Sequence, residues 1–144
     1  MDDRLSVKAI PADIFLDWQG ALTWHINSFV ERSSGANTFE SIVESILARE
    51  TQCWVVVDKD GKIKACALTY LADDAGKTCV ILACAGEDFR DWFELLAKTI
   101  YMWSKEAGSN KFEIHARLGW EKFLKEHLGM IKTHVVMEMP DVQS

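Results

Sequence analysis

Apolar residues recur along this chain with two periods, and the switches between them set the order of elements. "LSVKAI" (5–10) reads as a short strand, and Pro11 opens the next element. From Asp13 to about Arg32, the residues Ile14, Trp18, Ala21, Leu22, His25, Ile26 and Phe29 follow helical spacing. "SSGAN" breaks that pattern. Thr38 is placed to cap a second helix running to about Arg49, with Phe39, Ile42, Val43, Ile46 and Leu47 on its apolar face. The period then changes. "QCWVVV" (52–57) reads as a buried strand, "DKDG" as a turn whose glycine takes a positive φ, and "KIKACALTYL" (62–71) as the returning strand. "ADDAGK" makes a second turn into "TCVILAC" (78–84).

After Gly86 a long helix is expected. Asp88 is placed to cap it, with Asp91 three residues on as an approximate capping box. Phe89, Trp92, Phe93, Leu96, Ile100 and Trp103 line one face, and Gly108 ends the run. "KFEIHA" (111–116) reads as a strand, "GWEKFLKEHLG" as a short helix and "MIKTHVVMEM" (130–139) as a last strand. The order is β-α-α-β-β-β-α-β-α-β, an α+β chain with a mixed, mostly antiparallel sheet. A right-handed crossover through the long helix makes 111–116 parallel to 78–84.

Composition narrows the classes. A length of 144 residues suits one domain, 1–144, and fractions of 49% hydrophobic and 26% charged are ordinary for a globular protein. No apolar run approaches the roughly 20 residues that span a bilayer, and "MDDRLSVKAI" is too polar for a secretory signal, so a cytoplasmic protein without a membrane partner is expected. The net charge of −6 argues against nucleic acid, whose binding needs clustered cations. Cys53, Cys66, Cys79 and Cys84 form no C-x-x-C pair and lie in apolar runs, as buried thiols do. His25, His115, His127 and His134 lack ligand spacing, and no metal site is expected.

The ending "FEIHARLGWEKFLKEHLGMIKTHVVMEM", together with the element order over essentially the whole chain, resembles the GCN5-related N-acetyltransferase (GNAT) family. The step Arg117-Leu118-Gly119-Trp120 is similar to one in compact bacteriophage and prophage members. The resemblance implies a three-layer α/β/α fold and acetyl transfer from acetyl-CoA to an amine of a small molecule or protein. It also implies that strand 78–84 splays from strand 111–116. The pantetheine arm would then lie along main chain at Ala83, Cys84, Ala85 and Gly86, with pyrophosphate at the following helix N-terminus. The protein's tasks would be removing a proton, polarising the carbonyl and protonating the leaving thiolate.

The loop departs from the family pattern Gln/Arg-x-x-Gly-x-Gly/Ala. Glu87 falls at its leading position, Arg90 and Trp92 at the two later small positions, and Gly86 alone is left to supply a tight turn. A carboxylate ~6 Å from a phosphate costs roughly 1–3 kcal/mol at an effective dielectric of 20–40. Glu87, Asp88 and Asp91 are three such groups, and each gains roughly 0.3–1 kcal/mol at a helix N-terminus without any ligand.

Several residues carry two readings. His115 alternates with Glu113 and Arg117 and is either a general base or a half-buried packing residue. Tyr70 and Glu87 are further candidates for the base. Lys125, at the position of the family's tyrosine acid, either stabilises a thiolate or is simply solvated. Trp120 either packs at a helix start or covers pantetheine. Arg117 either meets a phosphate or acidic substrate or pairs with Glu87, Asp88 or Glu121. Two functions follow: an acyl-CoA-dependent N-acyltransferase with a degenerate pyrophosphate loop, or a noncatalytic phage virion, packaging or host-protein-binding component. The six tryptophans suit the second where they reach the surface, although core packing accounts for most of them first. The last strand, at a sheet edge, offers a route to a homodimer.

Overall fold

A computed structural model of the chain describes residues 5–33, 35–72, 77–115 and 120–133. Among these residues, five strands form one sheet in sequential order: β1 (Ser6–Ile10), β2 (Gln52–Val57), β3 (Ile63–Ala72), β4 (Thr78–Gly86) and β5 (Lys111–Ile114). The first three pairings are antiparallel. The last, β4 with β5, is parallel, as the crossover through the long helix requires. The helices are α1 (Phe15–Gln19), α2 (Thr23–Arg32), α3 (Phe39–Leu47), α4 (Phe89–Glu106) and α5 (Glu121–Leu128). The expected α+β class and mixed sheet are the observed ones.

Strand alternation explains the layers. Trp54 and Val56 of β2, Ala65 and Ala67 of β3, and Cys79 and Ile81 of β4 face α4 and α5. Cys53, Val55, Val57, Cys66 and Leu68 face the opposite layer, built from α1, α2 and α3. Both faces are covered, so β2 carries an unbroken apolar run rather than an alternating one. The small Ala65 and Ala67 leave room on their face for Trp92 and Phe93 of α4, which are fully buried. Burial of each Leu, Ile, Val or Phe side chain contributes roughly 1.5–3 kcal/mol.

Local chemistry fixes the element ends. Thr38 Oγ1 accepts the Ser41 N–H at 3.0 Å and Ser41 Oγ accepts the Thr38 N–H at 2.9 Å, a reciprocal cap on α3. In the β2–β3 turn, Asp58 Oδ1 accepts the N–H groups of Asp60 and Lys62, both at 2.9 Å, and Gly61 takes a φ of +81°.

Four expectations need correction or extension. The helix read over 13–32 is broken by a 3₁₀ turn at Gly20–Leu22. Gly20 weakens helix there, and Leu22 leaves the helical region (φ −105°, ψ 6°) while its side chain is fully buried. Strand β4 runs two residues past the 78–84 reading. The strand read over 111–116 is seen as Lys111–Ile114, with residue 116 outside the described residues. Of the last strand, 130–133 has no regular structure and 134–139 lies outside the described residues, as does the edge contact that would make a homodimer.

Candidate active site

The site is built at the last described rungs of the β4–β5 ladder. Their ladder runs from Thr78–Lys111 to Ile81–Ile114, and the His115 N–H adds a last bond to the Ile81 carbonyl at 2.9 Å. Strand β4 continues for five more residues, to Gly86, without a β5 partner among the described residues. It also bulges next to the last described rung. Leu68 pairs with Ala83 and Thr69 with Ile81, so Leu82 is the extra residue. Its mark is that Leu82 and Ala83, successive in the chain, both pack against the α1–α3 layer. A bulge bends its strand, and this one begins at the last β5 rung.

Of the residues expected to hold an elongated arm, Cys84 and Ala85 are buried, and Ala83 and Gly86 half-buried. Main chain is therefore what this edge presents. Arg32, at the end of α2, reaches it as well: its Nη1 donates to the Cys84 carbonyl at 3.2 Å. No local pattern places Arg32 here, because an arginine in the last turn of a helix ordinarily serves the helix dipole.

His115 sits at the vertex. Phe112 and Ile114 turn toward the α4–α5 layer, so the alternating Glu113 and His115 lie on the other face. Glu113 Oε1 is 3.6 Å from His115 Nε2, and the imidazole is exposed. A carboxylate beside an accessible imidazole at the end of a strand can orient a base and balance its charge once protonated. Tyr70, half-buried on β3, pairs in register with Val80.

The loop does not have the geometry expected of it. Gly86 has no positive φ; the tight turn is made by Asp88 at φ 56°, ψ 49°. Asp88 consequently makes no side-chain cap, and the expected capping box with Asp91 is absent, the Asp91 N–H instead meeting the Asp88 carbonyl at 2.8 Å. Gly86 is small for another reason. A Cβ built on it would lie 2.5 Å from the Lys64 carbonyl oxygen and 2.9 Å from the Ala65 Cα, so its open side faces β3.

Trp92, at one of the family's small positions, points inward: it is 1% exposed and its Nε1 donates to the Glu87 carbonyl at 2.7 Å. Arg90, at the other, lies 5.4 Å over the Phe123 ring. Trp120 stacks on Phe89 with centroids 4.6 Å apart and interplanar angle 28°, joining the N-terminal ends of α4 and α5. Glu87, Asp88 and Asp91 are exposed around that end. Lys125 is exposed on α5, apart from the His115–Glu113 pair. Arg117 lies outside the described residues. The donor set therefore fits a pantetheine arm along β4 and does not fit a diphosphate at the loop.

The cysteines are buried free thiols. Burial pushes the Cys84 thiol up to about 12, with the Arg32 charge pulling the other way. Burial likewise raises Cys79 to about 11 against a hydrogen bond from Ser104. Cys66 is raised by its contact with Cys53, 3.8 Å away, and by burial. These folded values exceed the unfolded value of 9.0, so their contribution to stability is complete below pH 9 and lost as pH rises through 11 to 12. Urea midpoints followed by tryptophan fluorescence should therefore be level just below pH 9 and fall above it. Cys84→Ala should make that alkaline fall shallower, and an unchanged slope would count against the assignment.

No protein-family model matches this sequence, and no curated protein does. Solved structures do. An aminoglycoside acetyltransferase from an uncultured soil metagenomic sample, in complex with sisomicin, aligns at TM-score 0.69 and 11% identity, covering 98% of each chain. A tetramutant of the BH1408 protein from Bacillus halodurans aligns at TM-score 0.67 and 16% identity over 94% of this chain and 99% of its own. An aminoglycoside antibiotic 6′-N-acetyltransferase from Acinetobacter baumannii aligns at TM-score 0.63 and 12% identity over 97% and 99%. Identities this low establish architecture alone, and the architecture is plain: this chain has the fold of the GCN5-related N-acetyltransferases.

Proposed function

We propose that this protein is an acyl-CoA-dependent N-acyltransferase that moves an acetyl group from acetyl-CoA to an amine, with a degenerate pyrophosphate loop. The observation that carries the reading is the bulge in β4 at the last described rung of its ladder with β5. Beyond it, Leu82 to Gly86 have no β5 partner among the described residues, and an exposed histidine–glutamate pair stands at that rung. Exposed strand edges bind extended amide-bearing chains through main-chain hydrogen bonds.

Acetyl-CoA, when bound, supplies the thioester. The amine nitrogen forms the new C–N bond, the C–S bond breaks, and the electron pair leaves on sulfur. His115 takes the proton that the amine loses, and Glu113 beside it stabilises the imidazolium. Glu87 is the alternative base, and Lys125 the candidate for stabilising the thiolate. Arg32 holds the Cys84 carbonyl and so positions the strand edge. The acceptor is a small-molecule or protein amine. The chain's place is the host cytoplasm, in keeping with the phage-type step at Arg117–Trp120; among the described residues no helix is long and apolar enough to cross a membrane.

Thiol release from acetyl-CoA, measured against a panel of polyamines, aminoglycosides and lysine peptides, tests the reading. His115→Ala should lower kcat by about 10²–10⁴-fold. No release above background with any amine, together with no heat on titrating CoA, would end the proposal.

A second reading has its own support. The Phe89–Trp120 stack closes the gap between the ends of α4 and α5, and Trp24 is 56% exposed, which suits a noncatalytic virion, packaging or host-protein-binding component. Reproducible capture of one host protein that Trp24→Ala abolishes would favour it.

A further inference from the structure

The poor fit of the loop to a diphosphate has a consequence for the acyl donor, one that rests on the transferase reading above. We infer that the donor is recognised through its pantetheine arm alone, so that a pantetheine thioester lacking the nucleotide diphosphate binds this site about as well as the full coenzyme.

Four independent features of the loop point the same way. Loops that wrap phosphates use glycine so that main chain can approach the oxygens, but the open side of Gly86 is already filled by β3. A side chain there would meet the Lys64 carbonyl oxygen at 2.5 Å. The Glu87 carbonyl is turned in to accept the Trp92 indole at 2.7 Å, which ties the peptide ahead of the helix to the core. The turn residue is an aspartate in the left-handed region, where a phosphate-wrapping loop would place glycine. Glu87, Asp88 and Asp91 surround the helix end, all exposed and of one sign.

The described cations near that turn are engaged elsewhere: Arg32 donates to the Cys84 carbonyl at 3.2 Å. Arg90 lies 5.4 Å over the Phe123 ring. The Phe89–Trp120 stack, at 4.6 Å, also joins the ends of α4 and α5, and the three exposed carboxylates stand at that end of α4. The arm meets none of this. Strand β4 from Leu82 to Gly86 presents main chain without a β5 partner among the described residues, and an uncharged diamide is indifferent to the acids nearby.

Calorimetry and ligand-observed NMR on the full chain, with pantetheine and CoA as paired probes, provide the test. Pantetheine and CoA should bind within about tenfold of one another, and CoA should bind more tightly as salt is raised, because screening weakens the repulsion. A variant carrying Glu87→Gln, Asp88→Asn and Asp91→Asn should gain at least about fivefold for CoA at low salt and be unchanged for pantetheine. Asparagine tolerates the left-handed conformation at 88, so this variant keeps the turn. CoA binding more than about tenfold tighter than pantetheine in the parent chain would overturn the inference and leave the transferase reading standing. Binding of neither probe would overturn both.

Discussion

Trp92→Ala is expected to destabilise the protein by about 3–5 kcal/mol, seen as a drop in the urea midpoint at constant slope and a fall of roughly 10 °C in Tm. Trp92 is 1% exposed and lies in the layer between the sheet and α4, beside Phe89 and Phe93, with ring centroids 6.0 Å from each. The void left by its removal is bordered by helix and sheet, so little of the surrounding structure can collapse into it. The variant also abandons the Glu87 carbonyl, which accepts the indole N–H at 2.7 Å. Trp92→Phe separates the two effects. It restores much of the volume and omits the donor, so it should recover most of the loss and remain about 1 kcal/mol short. A wild-type midpoint for Trp92→Ala would mean that the indole is not where it is described.

This tryptophan also shows how far the sequence could be read. Its place on the buried face of a long helix is legible, because Phe89, Trp92, Phe93, Leu96 and Ile100 recur at i, i+3, i+4 and i+7. The β2–β3 hairpin is equally legible, since two apolar runs of strand length flank a turn with glycine where φ is positive.

The parallel pairing of β4 with β5 follows from topology once a right-handed crossover is accepted, but the bulge at its last described rung does not. "CVILAC" is apolar on both faces, so an extra residue at Leu82 leaves the pattern of polar and apolar positions unchanged. Asp88 misleads for a related reason. Aspartate is favoured at a helix N-cap and also tolerated in the left-handed region, and composition cannot choose between them. Arg32 is hidden because its partner is a main-chain carbonyl 52 residues away, which no local pattern encodes. The site is thus less readable than the fold: it is made from main chain and from contacts distant in sequence, whereas the elements are made from side-chain periodicity.

Gly86 carries that difference into a prediction with an effect of comparable size. A glycine between a strand and a helix invites the reading that it makes a turn, in which case alanine would cost about 1 kcal/mol, as expected at Gly61, where φ is +81° and nothing crowds a Cβ. Gly86 instead pairs in register with Ala65, and the new Cβ would meet the Lys64 carbonyl oxygen at 2.5 Å and the Ala65 Cα and Cβ, each at 2.9 Å. All but one of these atoms are main chain, and the Ala65 Cβ has no rotamer by which to withdraw. Relief must come from separating β3 and β4 at the end where β4 has no β5 partner among the described residues. Gly86→Ala is therefore expected to cost about 1–3 kcal/mol and Gly86→Val more. Binding of a pantetheine probe should weaken with both, because the strand edge that would hold the arm is the segment forced to move. If Gly86→Ala and Gly61→Ala prove equally costly and pantetheine binding is unaffected, Gly86 is a conformational glycine after all, and the close approach of β3 does not set the shape of this site.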